Sequence, residues 1–323
     1  MDEFSLIQRY FSASDSRAAG KGVILGIGDD AAILKAAENE ELLVSTDTLI
    51  SGVHFPELTD PAAIGHKALA VNLSDIAAMG GDAKWFTLAL SIPEPDSAWL
   101  QAFSDGLLSL ARQVGISLVG GDTTRGNLSI TITVIGTVPA AGAVRRSGAR
   151  PGDIVFVTGS PGFAAMGLAA MQKKDLSSGE EQLEHINKLN FPQPRLQEGQ
   201  YLRAFASSMI DISDGLAADL GHILLASRCS AVINSETLMN RQPESSSVPK
   251  KQFLEAALYG GDDYELLFTI PAEKLITFEA NWIESFSCVT RIGDVIPGDG
   301  LIIKDRNGII MNIENTGYNH FHD

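Results

Sequence analysis

The chain has 323 residues, 45% of them hydrophobic and 20% charged, which is enough apolar material for a real core and too little charge for a disordered chain. At roughly 150 residues per domain, that length points to two domains. Lys and Arg total 24 against 40 Asp and Glu, a formal charge of −16, so nucleic acid and anionic membranes are excluded as general partners. An anionic substrate still fits where divalent cations sit between it and the protein.

Taken in chain order, residues 2–11 carry Phe4, Ile7, Tyr10 and Phe11 at helical spacing, with Asp2 as candidate N-cap. The opening MDEFSLIQRYF has no basic start followed by an apolar stretch, so it does not read as a signal peptide, and a cytoplasmic protein is expected. Residues 41–45 read as a strand. Residues 60–79 read as a helix, with Asp60 as cap, Pro61 in the first turn and Gly80-Gly81 as its stop. A strand over 85–92, an amphipathic helix over 96–114 ended by Gly115, and strands over 116–119 and 128–138 follow. The run 128–144 is uncharged, but it alternates Ser129-Ile130-Thr131-Ile132-Thr133-Val134 and is broken by Gly136 and Pro139. That makes it a strand and not a membrane span.

The Pro-, Gly- and Ala-rich stretch 139–152 marks a connection between a first domain over 1–138 and a second over 153–323. In the second, 153–158 reads as a strand, 161–172 as a helix, 174–190 as a polar helical surface insertion and 209–212 as a short strand. Residues 216–226 read as a helix, 240–251 as a loop, 264–270 as a strand, 272–284 as a helix, and 288–296 and 300–311 as strands. Strands and helices alternate in both halves, so the class is α/β or α+β. Cys229 and Cys288 fit no zinc motif and no disulfide framework, and read as small buried thiols in a reducing cytosol.

Six Asp-bearing segments sit at strand ends or helix starts: GIGDDAA (26–32), STDTLISGVHF (45–55), NLSDIAAMG (72–80), GGDTTRG (120–126), DISDGLAADLG (211–221) and GGDDYELLF (260–268). Singly, each has a plain alternative, since Gly-Asp pairs make turns and Ser-Asp starts helices. Jointly they point to metal. Asp75 lies in a helix otherwise built of Ala, Val, Leu, Ile and Met, where a carboxylate is costly unless paired or bound to a cation. Its alternatives are a water-facing position or a pair with Lys67, which at eight residues' separation is too far for an i,i+4 contact. Magnesium takes oxygen ligands from a few carboxylates plus substrate phosphates, and phosphoryl transfer needs phosphate charge neutralised. The expected metal set is Asp30, Asp47, Asp75, Asp122, Asp211 and Asp214, with hydroxyl or carbonyl oxygens from Ser45 and Thr46.

A P-loop is absent, because the Gly20-Lys21 pair is followed by glycine. Residues 26–31 fit G-x-G-x-x-A with Asp47 near the ribose-acid position, but Asp29 and Asp30 would oppose a pyrophosphate in that loop. Arg146, in RRSGARPGD, is either a solvated loop residue or a fork for phosphate. Residues 159–162 (GSPG) make either an ordinary turn or a phosphate-facing helix start. His54 is either a surface residue or a substrate contact.

In this order the six segments resemble the thiamine-monophosphate kinases of the aminoimidazole ribonucleotide synthetase-like superfamily, and the resemblance runs from GIGDDAA to the C-terminal GYNHF. It implies a two-domain synthetase-like kinase fold whose N-terminal halves pair into a β-barrel shared by a homodimer, with a C-terminal α/β domain completing the cleft. It implies ATP and several Mg2+ ions, with Asp30, Ser45, Thr46, Asp47, Asp75, Asp122, Asp211 and Asp214 as metal ligands. Gly121, Asp122, Arg146 and Ser213 are implied as ATP contacts. His54, Asp262 and Tyr318 or Phe321 are implied as contacts to thiamine monophosphate. The family commonly has Glu where this chain has Asp262. The implied reaction is direct in-line transfer with no protein general base, because the attacking phosphate oxygen is already anionic. Rival readings are an amidoligase-like synthetase of the same superfamily and a non-catalytic nucleotide-binding protein. A selenophosphate synthetase would carry a reactive Cys near its N-terminus, and none occurs before Cys229.

Overall fold

The computed structural model describes residues 3–11, 22–27, 31–172, 179–244 and 246–311. They form two compact units, one of Met1–Ile76 and Gly81–Gly142, the other of Ala77–Gly80 and Ala143–Asp323.

The first unit contains α1 (Glu3–Tyr10), β1 (Val23–Leu25), β2 (Ile33–Leu34), β3 (Glu40–Ile50), most of α2 (Pro61–Ala78), β4 (Asp82–Ile92), α3 (Ser97–Val114), β5 (Ser117–Arg125) and β6 (Ser129–Pro139). Its four-stranded sheet has the order β3-β6-β4-β5, antiparallel except for the parallel β4–β5 pair. Along β6 the alternation seen in the sequence sorts the faces: Ile130, Ile132 and Val134 are buried, while Thr131 and Thr133 lie on the other face. There Thr133 and Thr131 meet Thr46 and Thr48 of β3 through hydroxyl contacts of 2.9 and 2.8 Å. This outer face also carries Val44 and Leu42, 63% and 56% exposed. Within one chain the sheet is open, with β3 and β5 at its edges, and does not close into a barrel. Asp96 caps α3 by accepting the amides of Ala98 and Trp99, and Gly115 ends it at φ 73°.

The second unit contains β7 (Ile154–Thr158), α4 (Phe163–Gln172), α5 (Gly179–Asn190), α6 (Leu196–Leu202), β8 (Ser208–Asp211), α7 (Leu216–Ser227), β9 (Ser230–Asn234), α8 (Ser235–Met239), α9 (Lys250–Tyr259), β10 (Leu266–Ile270), α10 (Leu275–Asn281), β11 (Val289–Ile296), β12 (Gly300–Lys304) and β13 (Ile310–Met311). The sheet order is β13-β12-β9-β11-β7-β10-β8, mixed because β12 runs parallel to β9. Central β7 is buried on both faces. Val155 and Val157 join the core with Leu220 and Ile223 of α7, while Ile154 and Phe156 join Leu202 of α6 and Phe278 of α10. That is why the run from Ile154 to Val157 is continuously apolar.

Several expectations need correction. Strands β3 and β5 extend well past 41–45 and 116–119, because their outer ends carry Asp, Thr and Gly where apolar patterning fails. Of the expected surface insertion 174–190, the described part, α5, is not merely surface, since His185 and Leu189 are buried and the His185 ring stands edge-on to Phe163 at 4.8 Å. Strand β10 starts at Leu266, not 264, because Asp262 and Tyr264 have φ of 67° and 50°. The expected strand 300–311 is two strands, turned where the Asp305 carboxylate accepts the amides of Asn307 and Ile309. Helix α9 begins at Lys250, inside the expected loop. Cys229 is buried but Cys288 is exposed, at the mouth of β11. Among the described residues no helix is long and apolar enough to cross a membrane.

Candidate active site

In the first unit, β3 and α2 bring three predicted residues together. The period-2 pleat puts Ser45 and Asp47 on the inner face of β3. Asp75 of α2 accepts the Ser45 hydroxyl at 2.5 Å. Buried Asn72, one turn earlier, accepts the Asp47 amide at 3.1 Å and donates to Ala68 O, which pins strand to helix. Burial, followed by the charge and hydrogen bond of Asp75, pushes the Asp47 carboxyl up to about 6. Two carboxyls and a hydroxyl in contact are an all-oxygen donor set with surplus negative charge, which suits a hard divalent cation.

The other predicted residues of this unit stand apart from that trio. The Thr46 hydroxyl faces the opposite side of the sheet, toward Thr133, and so points away from the trio. Asp122 is exposed on β5, the far edge, with β6 and β4 between it and β3. Its neighbour Gly121 has φ 154°, and a Cβ there would lie 1.9 Å from Leu88 O, so only glycine allows β5 to run this close to β4. His54 closes the turn after β3. Its Nδ1 accepts the Ile50 amide at 3.0 Å, which orients the ring and requires the neutral ring to carry its proton on Nε2.

In the second unit, the DISDG and GGDDYE segments lie side by side beyond β8 and β10. Asp211, 5% exposed, pairs with Leu266 in the ladder. The pairing continues outward: the Ile212 amide donates to Glu265 O, the Tyr264 amide to Ile212 O and the Asp262 amide to Ser213 O. A Cβ on Gly261 would stand 2.2 Å from Ser213 O, so the two turns touch backbone to backbone. Asp262 in the left-handed region is a mild departure that Asp tolerates better than most residues. Tyr264 there is a costly one, of about 1–2 kcal/mol.

Four side chains that the sequence reading left without a role hold these turns. Asp219 of α7 accepts the amides of Ser213, Asp214 and Gly215 at 3.0, 3.1 and 3.2 Å on one oxygen. Burial raises its carboxyl to about 7 against the pull of those amides, and the Asp214 charge adds to the rise. Asp263 caps α4 by accepting the Gly162 and Ala164 amides at 2.7 and 3.3 Å, and burial lifts it well above the ordinary carboxylate range despite them. Buried Glu265 takes Arg195 in a two-pronged pair at 2.7 and 2.6 Å and the Thr158 hydroxyl at 2.7 Å. Asp219, Asp263 and Glu265 lie inside the quoted DISDGLAADLG and GGDDYELLF segments, as surplus acids beside the expected site residues, whereas nothing near Arg195 in the sequence marks it. Asp214, Asp219 and His222 also lie close enough to offer ligand atoms within 4.8 Å of one another.

Arg146 is exposed on the 145–149 loop, which runs beside β8 through the Met209 amide on Arg145 O and is held by Ser227. Asp30, Tyr318 and Phe321 lie outside the described residues.

Residues 28–138 match the AIR synthase related protein family's N-terminal domain, and residues 150–306 match its C-terminal domain. The thiamine-monophosphate kinase of Salmonella typhimurium is 44% identical over 99% of this chain and 98% of its own length. The chain belongs to the thiamine-monophosphate kinase family. Thiamine-monophosphate kinases are ATP-dependent phosphotransferases that convert thiamine monophosphate to thiamine diphosphate. A crystal structure of the thiamine-monophosphate kinase from Stenotrophomonas maltophilia K279a superposes with a TM-score of 0.81 at 41% identity, covering 94% of this chain and 96% of its own. The structure of AaThiL complexed with AMPPCP and TMP superposes with a TM-score of 0.77 at 31% identity, covering 99% of this chain and 97% of its own.

Proposed function

We propose that this chain, a cytosolic enzyme, moves the γ-phosphoryl group of ATP directly and in line onto a phosphate oxygen of thiamine monophosphate, releasing ADP. The observation that carries the mechanism is the Ser45–Asp47–Asp75 contact, where burial and repulsion raise Asp47 to about 6. Such a set is incomplete without cations, and its all-oxygen chemistry fits Mg2+. Asp30, Ser45, Thr46 through its carbonyl, Asp47, Asp75 and Asp122 would hold several ions, together with Asp211 and Asp214 from the second unit. Bound Mg2+ supplies neutralisation of the phosphate oxygens of two substrates that otherwise repel each other.

The acceptor oxygen is ionised at neutral pH, so no side chain of this chain needs to remove a proton from it. Arg146 suits a forked contact to ATP phosphate, with Gly121, Asp122 and Ser213 beside the nucleotide. His54, with its ring oriented by Ile50, and Asp262 suit the thiamine monophosphate side, and Tyr318 or Phe321 offers an aromatic face to the cationic thiazolium. We assign residues 1–138 to ATP and metal binding and to dimerisation, and 153–323 to completing the cleft. A homodimer is supported by the exposed aliphatic and threonine face of β3 and β6, a surface suited to a second copy pairing into a barrel.

The test is ADP release from ATP and Mg2+ with and without thiamine monophosphate, with detection of thiamine diphosphate. Acceptor-dependent ADP with matching product is expected. ADP without thiamine diphosphate, or ATP binding without turnover, would overturn the assignment.

A further inference from the structure

Tyr264 sits at φ 50°, two residues after Asp262 at φ 67°. Two left-handed residues within three curl the chain back on itself, and the Tyr264 hydroxyl donates to Asp262 Oδ1 at 3.0 Å. The amides of both residues are tied to Ser213 O and Ile212 O. Between and beyond them, Asp263 is locked onto the start of α4 and Glu265 onto Arg195 and Thr158. A bulky aromatic residue gains nothing from left-handed backbone in itself, and such strain persists where the surroundings over-determine it. The bracing around this turn lays the Tyr264 phenol against the carboxylate of Asp262.

We infer that Tyr264 is a positioning residue that holds the Asp262 carboxylate in the orientation in which it meets thiamine monophosphate. The inference rests on the reading of Asp262 as a substrate contact. An aspartate is one methylene shorter than the glutamate common in the family, so its carboxylate reaches less far and its direction matters more. Two χ angles separate that carboxylate from the backbone, and with the backbone already fixed, one directional hydrogen bond restricts both. Tyr264 acts through Asp262 and need not touch the substrate.

The experiment is a double-mutant cycle on the full-length enzyme, with KM for thiamine monophosphate, KM for ATP and kcat measured for Tyr264→Phe, Asp262→Ala and the double variant. Tyr264→Phe keeps the ring and its packing and removes the hydroxyl. It is expected to raise KM for thiamine monophosphate about three- to tenfold, with kcat and KM for ATP within about twofold of wild type. In the Asp262→Ala background the same change is expected to have no further effect, because the residue through which it acts is gone. Additive effects, or a fall in kcat with KM unchanged, would overturn the positioning role. An unchanged KM in Asp262→Ala would instead overturn the reading of Asp262 as a substrate contact, so the two failures are distinguishable. Should Tyr264→Phe prove insoluble, Asp262→Asn probes the same link from the other side. It keeps an acceptor for the phenol, so its KM defect should be smaller than that of Asp262→Ala, and equal defects would count against the inference.

Discussion

Asp47 and Asp75 stand within an eleven-residue strand and an eighteen-residue helix, whereas Asp214 and Asp262 of the second unit stand in turns beyond β8 and before β10. In the first unit the regular backbone does the holding, and the site's cost is carboxylate repulsion. In the second, the turns have no ladder of their own beyond a few bonds, and side chains hold them: Asp219 on three amides, Asp263 on two, Glu265 against Arg195 and Thr158. One unit should therefore respond to charge and pH, the other to the loss of a clamp.

The largest expected effect breaks the strongest clamp. Arg195→Ala would leave Glu265, 5% exposed, with the Thr158 hydroxyl but without its guanidinium. Removing one partner of a buried pair costs about 3–5 kcal/mol, since an uncompensated charge stays behind. Chemical denaturation should show a loss of that order. Replacing both partners together, Arg195→Met with Glu265→Gln, should recover much of it. A loss below about 1 kcal/mol for Arg195→Ala would show that the turn is held by its main-chain bonds instead.

The next effect tests the first unit. The native value of Asp47, about 6, lies above its ordinary 3.8, so the folded protein retains a proton that the unfolded chain gives up between those values. The associated stability is full below about pH 4 and lost as pH rises through 6, amounting to about 2–3 kcal/mol. Chelator-treated protein should thus be less stable at pH 7.5 than at pH 5, and Asp47→Asn should reduce the slope between about pH 5 and 6 while lowering turnover on the order of a hundredfold. Mg2+ should restore the wild type at pH 7.5. Asp219, at about 7, adds a loss of the same sign that also begins near pH 4 and runs on to about 7, so Asp219→Asn should remove the slope between about 6 and 7 and reduce it by about half below 6. An unchanged slope in Asp47→Asn would mean that the trio does not govern it.

Much of this site was legible because its signals are local. The lone carboxylate among the apolar residues of α2 and the Gly115 end of α3 each follow from a period or a cap. What was not legible depends on partners distant in sequence. Arg195 reaches Glu265 across 70 residues, and Asp263 caps a helix that begins a hundred residues earlier, so no window of sequence contains the pair. The side that Thr46 faces follows from strand phase, which becomes fixed once Asp47 is known to point inward. The Tyr264 turn was read as strand because its residues have strand propensity, and tertiary bonds override that preference.

The smallest effect sharpens the contrast within the second unit. Ser227, the last residue of α7, accepts the amides of Gly148 and Ala149 at 3.1 and 3.2 Å and donates to Arg146 O at 3.2 Å. One hydroxyl therefore satisfies three main-chain groups of the loop that carries Arg146. Residues 145–148 of the loop are exposed, so water replaces most of these bonds at little penalty, and Ser227→Ala should cost about 1 kcal/mol in stability, mostly from the amide of buried Ala149. Its kinetic effect should be larger than that cost suggests. Arg146 has to offer its guanidinium in a fixed direction to fork onto a phosphate, and a loop freed at three points samples more directions. KM for ATP should rise about threefold while KM for thiamine monophosphate stays put, the mirror image of Tyr264→Phe. If both constants move together, Ser227 supports the whole unit and not this loop. If neither moves, Arg146 is one of the solvated arginines that its exposed setting also allows.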